Sequence, residues 1–224
     1  MAWSGVWVLG WLFGLVLAQS VLTVEMQQLC RAVKVMNSSL VFKERVHFMR
    51  HNMPINFTIK IHYEEVFKLR NVSRLRRNLQ DQDLQDVDLQ ETWLRVNLGI
   101  LKKIKNLLPR KHPSYNYTAD LETLLLSVEQ VFTDLKEQRE PRESPERIGN
   151  IWEALATPLG KRRTEATPKS LLDNCYHTML CVFHSCFPSV DYCQRAFWRN
   201  EKKAQVTPTP PLSSTDITTG KAGQ

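Results

Sequence analysis

Glycine and proline are scarce in the part of the chain where a fold should lie. No glycine occurs between Gly14 and Gly99, and Pro54 is the only proline before Pro109. Because these two residues provide most turn conformations, their scarcity favours long helices over a many-stranded β-protein. The hydrophobic content of 42% is sufficient for a core and excludes a chain that is disordered throughout.

Catalytic sequence signatures are absent as well. The chain has no GxSxG, HExxH, P-loop or dinucleotide-binding motif. The carboxylates between positions 81 and 91 follow the spacing of a solvated helix side and have no partner in an apolar setting. We therefore expect no enzyme activity and no cofactor, and we expect function to reside in binding surfaces.

Long hydrophobic runs are confined to the N-terminus. Residues 6–17 are almost all apolar and are followed by the small residue Ala18. This pattern is typical of a cleaved signal peptide, although the usual basic residue before the apolar run is missing. A membrane anchor is the alternative, but a spanning helix needs about twenty apolar residues. We expect residues 1–18 to be a signal peptide and the protein to be secreted, without membrane insertion.

Four N-glycosylation sequons agree with secretion. They begin at Asn37, Asn56, Asn71 and Asn116. A sequon that carries a glycan must face water. We therefore expect these asparagines to mark the surface of a glycoprotein.

Apolar residues recur at helical spacing in four segments. The stripes run from Met26 to Leu40, Leu84 to Leu108, Leu121 to Leu135 and Leu172 to Cys186. Acidic residues crowd the start of the second segment and lysines its end, which is the order that the helix dipole favours. Prolines follow the second and fourth segments and stop those helices.

The connections between these helices are long. From Ile55 to Ile61, apolar and polar residues alternate, which predicts a short, isolated strand, and a further helix is predicted over Glu64–Asn78. Residues 137–168 are rich in proline and charge and are predicted to be a partly ordered connection. Four main helices with long crossovers are the outline of a growth-factor-type four-helix bundle of the all-α class. We expect this domain to span 19–193 and a disordered tail rich in Thr, Pro, Ser and Lys to span 194–224.

The five cysteines constrain how the bundle is cross-linked. Cys175, Cys181 and Cys186 lie on the predicted last helix, where separations of five, six and eleven residues exclude the Cα distance of about 4.4–6.8 Å that a disulfide needs. Their possible partners are Cys30 and Cys193. Cys186 falls on the apolar side of the helix and Cys181 away from it, which favours Cys30–Cys186 and Cys181–Cys193 bridges and leaves Cys175 as a buried thiol. A Cys186–Cys193 bridge fits as well.

A zinc site is a further reading of the same helix. His177 and Cys181 have the four-residue spacing of ligands on one helix face, but no CxxC pair occurs. We therefore expect no bound metal.

Two basic clusters concentrate the formal net charge of +7. They comprise Lys68, Arg70, Arg74, Arg76 and Arg77, and Lys102, Lys103, Lys105, Arg110 and Lys111. The i, i+4, i+7 spacing of Arg70, Arg74 and Arg77 predicts one basic helix face that an acidic receptor or a sulfated glycan can bind; an ordinary solvated helix side is the alternative. Nucleic acid is not an expected partner, because a secreted chain without interleaved aromatic residues lacks the usual recognition pattern.

Several long motifs resemble those of the interleukin-34 family. From Met53 the chain reads Met-Pro-Ile-Asn-Phe-Thr-Ile-Lys-Ile, followed by Tyr-Glu-Glu-Val-Phe at 63–67 and Asn-Val-Ser-Arg-Leu at 71–75. His-Pro-Ser-Tyr at 112–115, Thr-Leu-Leu-Leu at 123–126 and Leu-Leu-Asp-Asn-Cys at 171–175 follow in the same order as in the family. The similarity covers roughly residues 45–193 and is weaker in the first helix.

The resemblance implies a short-chain four-helix-bundle cytokine that forms a non-covalent homodimer. Its implied receptor is the macrophage colony-stimulating factor receptor, a tyrosine kinase that the dimer would dimerise, promoting survival, proliferation and differentiation of monocytes, macrophages and microglia. Sulfated glycans on syndecan and on receptor-type phosphatase zeta are further implied partners. The alternative function is a secreted lipid- or glycan-binding amphipathic helical protein.

The resemblance also bears on the cysteines and the sequons. It implies a Cys30–Cys186 bridge and a bridge to Cys193, and the sequon at Asn71 matches one of the family. Around Cys186 the family has a denser cysteine cluster, so the partner of Cys193 stays open between Cys181 and Cys186.

Overall fold

A computed structural model of the chain describes residues 25–64, 67–77, 84–139, 141–157, 163–188 and Cys193. The predicted signal peptide and tail lie outside these residues. The helices are α1 (25–39), α2 (Phe42–Val46), α3 (Leu69–Arg77), α4 (Asp86–Leu107), α5 (Pro113–Glu137), α6 (Glu146–Ala156) and α7 (Pro168–Val182). The strands are β1 (Ile59–His62) and β2 (Arg163–Ala166), a π-helical turn follows α2 (His47–His51), and a 3₁₀ turn follows α7 (His184–Cys186).

Four helices, α1, α4, α5 and α7, form the bundle, so the prediction of an all-α cytokine fold is confirmed. Helices α1 and α5 run antiparallel: Gln138 Nε2 donates to Glu25 Oε1 at one end (2.6 Å), and the Tyr117 hydroxyl donates to the Ser39 carbonyl at the other (3.0 Å). Helix α4 packs against both α5 and α7. The four predicted apolar stripes supply most of the core that these helices enclose.

Trp93 of α4 is the largest side chain in this core and is fully buried. Its indole N–H donates to the Cys175 carbonyl (3.2 Å) and to Thr178 Oγ1 (3.0 Å), which are both on α7. The ring of Phe183 meets the indole edge-on, with the ring centroids 5.3 Å apart. The polar atom of this tryptophan is therefore satisfied inside an apolar core, which is the condition for burying it without a net cost.

The helix starts follow from local sequence. At α4, Asp88 accepts a hydrogen bond from the Gln85 backbone N–H (2.8 Å), which completes a capping box. At α5 and α7, proline occupies the first helical position, and the preceding residues, His112 and Thr167, accept hydrogen bonds from Ser114 N–H and Ser170 N–H. Proline costs nothing there because the first helical N–H has no partner within the helix.

The predicted isolated strand is wrong in two respects. It begins at Ile59 instead of Ile55, because the Phe57 N–H donates to the Pro54 carbonyl (3.0 Å) and closes a turn before it. It also pairs with β2 in antiparallel register, with Ile59 opposite Ala166. The partner strand lies in the charged connection, where the alternation that marks a strand is only four residues long.

The second long connection is more ordered than predicted. Helix α6 packs on α4 through buried Ile148 and through Trp152, whose indole N–H donates to Thr92 Oγ1 (3.2 Å). The Arg142 guanidinium donates to the Asp88 carboxylate, which is only 5% exposed. The expectation that this carboxylate lies on a solvated helix side is therefore wrong, since α6 and the segment before it cover it.

The last helix is shorter than its stripe predicted. It ends at Val182, and Cys186 lies in the following 3₁₀ turn. Cys181 is fully buried, which contradicts its predicted place away from the apolar side. The helical wheel failed here because a second layer, including Cys193, covers the side of α7 opposite the bundle core.

Candidate functional site

Two disulfides cross-link the bundle and the segment that follows its last helix. Cys30 of α1 is bonded to Cys186, and Cys181 of α7 to Cys193, with Cα atoms 5.0 Å apart in each pair. Cys186 is therefore not the partner of Cys193. Cys175 is a free, buried thiol, and burial raises its pKa to about 12.

Helix α3 carries the first predicted basic surface. Arg70 and Arg74 are exposed one turn apart, whereas the side chain of Arg77 lies outside the described residues. Arg76 points elsewhere: its guanidinium lies 3.5 Å from the Asp86 carboxylate and 3.3 Å from Cys193 Sγ. Lys68, just before the helix, is exposed as well, and its ammonium nitrogen lies 6.0 Å from the centre of the Tyr63 ring. The described part of this surface therefore has three exposed cations.

The C-terminal part of α4 carries the second predicted basic surface. Lys102 is exposed and Lys103 is half-buried. Lys105 forms an ion pair with Glu122 of α5, and its hydrogen bond to this carboxylate raises the pKa of the ammonium group. The charge of Lys105 is therefore balanced within the bundle. That Lys102, Lys103 and Lys105 serve one binding surface stays a prediction.

The second basic surface lies beside the π-helical turn, a segment that the sequence did not mark as functional. Ser114 Oγ donates to the Phe48 carbonyl (2.5 Å), and the Phe48 ring stacks on Tyr117 with centroids 4.4 Å apart. These contacts place the α4–α5 turn, with exposed Arg110 and Lys111, beside the π-helical turn. Burial raises the pKa of the Tyr117 hydroxyl, so it stays protonated as the donor in this junction.

A groove of about 590 Å³ opens at the same end of the bundle. We call it the Ile55 groove; its lining includes Met53, Ile55 and Phe57 together with Arg50, His51 and Lys169. The side chain of Ile55 is 98% exposed, and its alternation with Phe57 made it look like a strand residue. An isoleucine so exposed beside other apolar side chains is typical of a surface that another molecule covers.

Exposed apolar side chains also occur on the neighbouring helices α1 and α5. Val35 of α1 is 50% exposed and Leu126 of α5 is 42% exposed. Both point away from the core, although α1 and α5 are neighbours. The stripe pattern of each helix did not reveal this pair, because it reports only the side that is buried.

The four sequons differ in exposure. Asn56 and Asn116 are exposed, Asn56 in the turn before β1 and Asn116 in the first turn of α5. Asn37 and Asn71 are half-buried in α1 and α3, and Asn37 Oδ1 has no hydrogen-bond partner among the described residues. Occupancy of all four sequons stays a prediction.

Metal binding finds no support in the part of the chain that the structure describes. No group of three or more His, Cys, Asp or Glu side chains there is placed to hold a metal ion. Among the same residues, no helix is long and apolar enough to cross a membrane.

A bundle of four helices with long crossovers and a disulfide from the first helix to the segment after the last has the architecture of a helical cytokine. The family model described as Interleukin 34 matches residues 23–191. The chain therefore belongs to the interleukin 34 family, a family of cytokines and not of enzymes. The resemblance seen in the sequence motifs is confirmed.

Proposed function

We propose that this protein is a secreted, homodimeric cytokine that binds and dimerises the macrophage colony-stimulating factor receptor tyrosine kinase. The resulting signal would promote survival, proliferation and differentiation of monocytes, macrophages and microglia. The observation that carries the proposal is the family match over 23–191, which spans the whole helical bundle. The catalytic-site motifs that would support an enzyme are missing from the sequence.

The two exposed apolar surfaces support different parts of this proposal. The Ile55 groove lies at one end of the bundle, where it suits association of two copies by the same surface. The Val35 and Leu126 side chains lie on the flank of α1 and α5, which such a dimer would leave open. We assign the groove to the homodimer and the flank to the receptor.

The basic surfaces support a third kind of partner. Exposed cations on α3 and around the α4–α5 turn favour sulfated glycans, such as those on syndecan or receptor-type phosphatase zeta. N-linked glycans at the exposed sequons belong to the same proposal of a secreted glycoprotein. A lipid-binding function is less well supported, since the amphipathic stripes are already buried in the core.

Receptor phosphorylation tests the proposal. Purified protein would be added to cells that express the receptor and to matched cells that lack it, and tyrosine phosphorylation of the receptor would be measured within minutes. We expect phosphorylation only in the receptor-bearing cells. Folded, dimeric protein that leaves the receptor unphosphorylated would refute the function.

A further inference from the structure

Basic side chains line the Ile55 groove beside its apolar residues. Arg50 and His51 of the π-helical turn line it, and Arg50 has no side-chain partner among the described residues. Lys169 lines it from α7 and forms an ion pair with Asp173. Since the same carboxylate also pairs with Arg45 (2.9 Å), one negative charge is shared by two positive ones.

This excess of positive charge extends over the whole end of the bundle. Segments 40–60, 102–116 and 163–170 hold eleven Lys and Arg residues against two Asp and Glu residues. Three of these cations pair with carboxylates outside the segments, Arg45 and Lys169 with Asp173 and Lys105 with Glu122, and the other cations remain in excess. The two carboxylates within the segments are Glu44 and Glu165, and Glu165 accepts a hydrogen bond from the Thr58 hydroxyl (3.2 Å). Neither is placed in an ion pair with Arg50, Arg110 or Lys111 among the described residues.

Two-fold association through this groove brings like charges together. This inference rests on the proposed homodimer. In a two-fold dimer the same surface of each copy faces the other. Arg50, Lys169 and the other basic residues at this end, here called the basic rim, therefore approach the same residues of the partner. At physiological ionic strength such charges repel one another over about 8 Å. The apolar contact of Ile55 and the charge of its rim therefore oppose each other.

We propose that a sulfated glycan binds along this basic rim, across both copies, and strengthens the dimer. A sulfated polysaccharide presents closely spaced anions on one long chain, so a single molecule can neutralise cations of both copies at once. That bivalent contact raises the effective concentration of the second copy without any new apolar contact. The strength of the dimer would therefore depend on whether the glycan is bound to the basic rim.

The experiment measures the dimer dissociation constant of the full chain by sedimentation equilibrium. The probes are NaCl at about 0.05, 0.15 and 0.5 M, where the Debye length falls from about 13 to about 4 Å, and a heparin-derived dodecasaccharide at the middle concentration. We expect the dimer to tighten as salt rises in the absence of glycan. We expect the dodecasaccharide to lower the dimer dissociation constant at least about fivefold. This is the effect of bringing one Lys or Arg side chain to an anionic surface.

Matched charge variants locate the site. Arg50→Gln/Arg110→Gln removes two cations from the groove end of the bundle, and Arg139→Gln/Arg147→Gln removes two exposed cations, one after α5 and one in α6, that belong to neither basic surface. We expect the first variant to dimerise more tightly than the wild type at low salt and to lose most of its response to the dodecasaccharide, and the second variant to behave like the wild type. Sodium sulfate at the same total sulfate concentration serves as the monomeric anion control and should have no effect beyond its ionic strength.

Several outcomes would overturn the inference. They are a dodecasaccharide that leaves the dimer unchanged or dissociates it, an equal loss of response in both variants, and an equal effect of free sulfate. A wild-type chain that stays monomeric under every condition yet phosphorylates the receptor would overturn it while the cytokine function stands. A glycan-strengthened dimer that fails to phosphorylate the receptor would leave the inference intact and refute the proposed receptor.

Discussion

Cys175 lies in the middle of α7 with 1% of its surface exposed, beneath the indole of Trp93. Burial in this apolar setting raises the pKa of its thiol to about 12, because the thiolate would be desolvated. The odd cysteine number therefore reflects a packing residue and not an intermolecular bridge. Arg45 is also buried, with 3% of its surface exposed, but it is charged, and its guanidinium forms an ion pair with Asp173.

Alkylation tests the state of Cys175. Because the raised pKa keeps the thiol protonated at pH 8 and the core excludes the reagent, we expect iodoacetamide to add no label to the native protein within an hour. In about 6 M guanidinium without reductant, we expect one label per chain by mass spectrometry, since the unfolded thiol has a pKa near about 8.5. A label on the native protein would contradict the buried placement.

Arg45→Met tests the buried ion pair. The guanidinium donates to the Leu40 carbonyl and Asp173 Oδ1 and lies 4.3 Å from the centre of the Tyr176 ring. Removing it leaves the carbonyl and the carboxylate without this donor, so we expect the free energy of unfolding to fall by about 2–4 kcal/mol. The exposed neighbour Lys43 provides the control, since Lys43→Met should change it by less than about 0.5 kcal/mol in urea titration. Equal effects of the two substitutions would contradict the assigned role.

At the scale of elements, hydrophobic periodicity predicted the four bundle helices. It did not predict the elements that become ordered only by packing against another element. The stripes of α1, α4, α5 and α7 are long enough to identify each helix, and proline marks two starts. Strand β2 and helix α6 were missed because each becomes ordered by covering another element, as Trp152 does on α4. The exposure of Ile55 could not be predicted for a related reason. Alternating residues indicate a strand but do not show that a turn precedes it, as the turn closed by Phe57 and Pro54 does.

The candidate site shows the same limit. Both basic clusters are visible in the sequence, but the ion pair that neutralises Lys105 joins residues on two helices. The packing of the π-helical turn against the start of α5 depends on the contact of Ser114 with Phe48, which are 66 positions apart. Local spacing cannot reveal such contacts, since they follow from how the helices pack.

The two disulfides should stabilise the fold unequally. Cys30–Cys186 closes a loop with a separation of 156 residues and Cys181–Cys193 one of 12. Loop-closure entropy assigns about 5 kcal/mol to the first and about 3 kcal/mol to the second. We expect Cys30→Ala/Cys186→Ala to lower the free energy of unfolding by about 2 kcal/mol more than Cys181→Ala/Cys193→Ala, as measured by chemical denaturation. The reverse order would show that strain or packing outweighs the entropy of the longer loop.

On the scale of the whole molecule, charge and apolar exposure divide the surface into regions. One end of the bundle combines the Ile55 groove with exposed Arg50, Arg110 and Lys111, whereas Glu25, Asp86 and Glu137 lie toward the other end. The flank between the ends carries Val35 and Leu126. In the proposed dimer, this division would let two copies meet end to end while each keeps its flank free for a receptor.

Ile55→Asp tests the end-to-end association. Because the side chain is 98% exposed in the single chain, the substitution should leave its melting temperature unchanged. In a two-fold dimer it would place two carboxylates in an apolar contact, so we expect dimerisation to weaken at least about a hundredfold in sedimentation equilibrium. Leu126→Asp is the control and should stay dimeric; a dimeric Ile55→Asp would exclude the groove as the interface.

The stoichiometry of the receptor complex tests the central claim most directly. Multi-angle light scattering of the purified protein with the receptor ectodomain should give the mass of two chains with two ectodomains. We expect Ile55→Asp to give the mass of one chain with one ectodomain, and Leu126→Asp to remain a dimer that binds the ectodomain more weakly. A wild-type dimer that forms no complex, or one that retains a single ectodomain at saturation, would contradict the account.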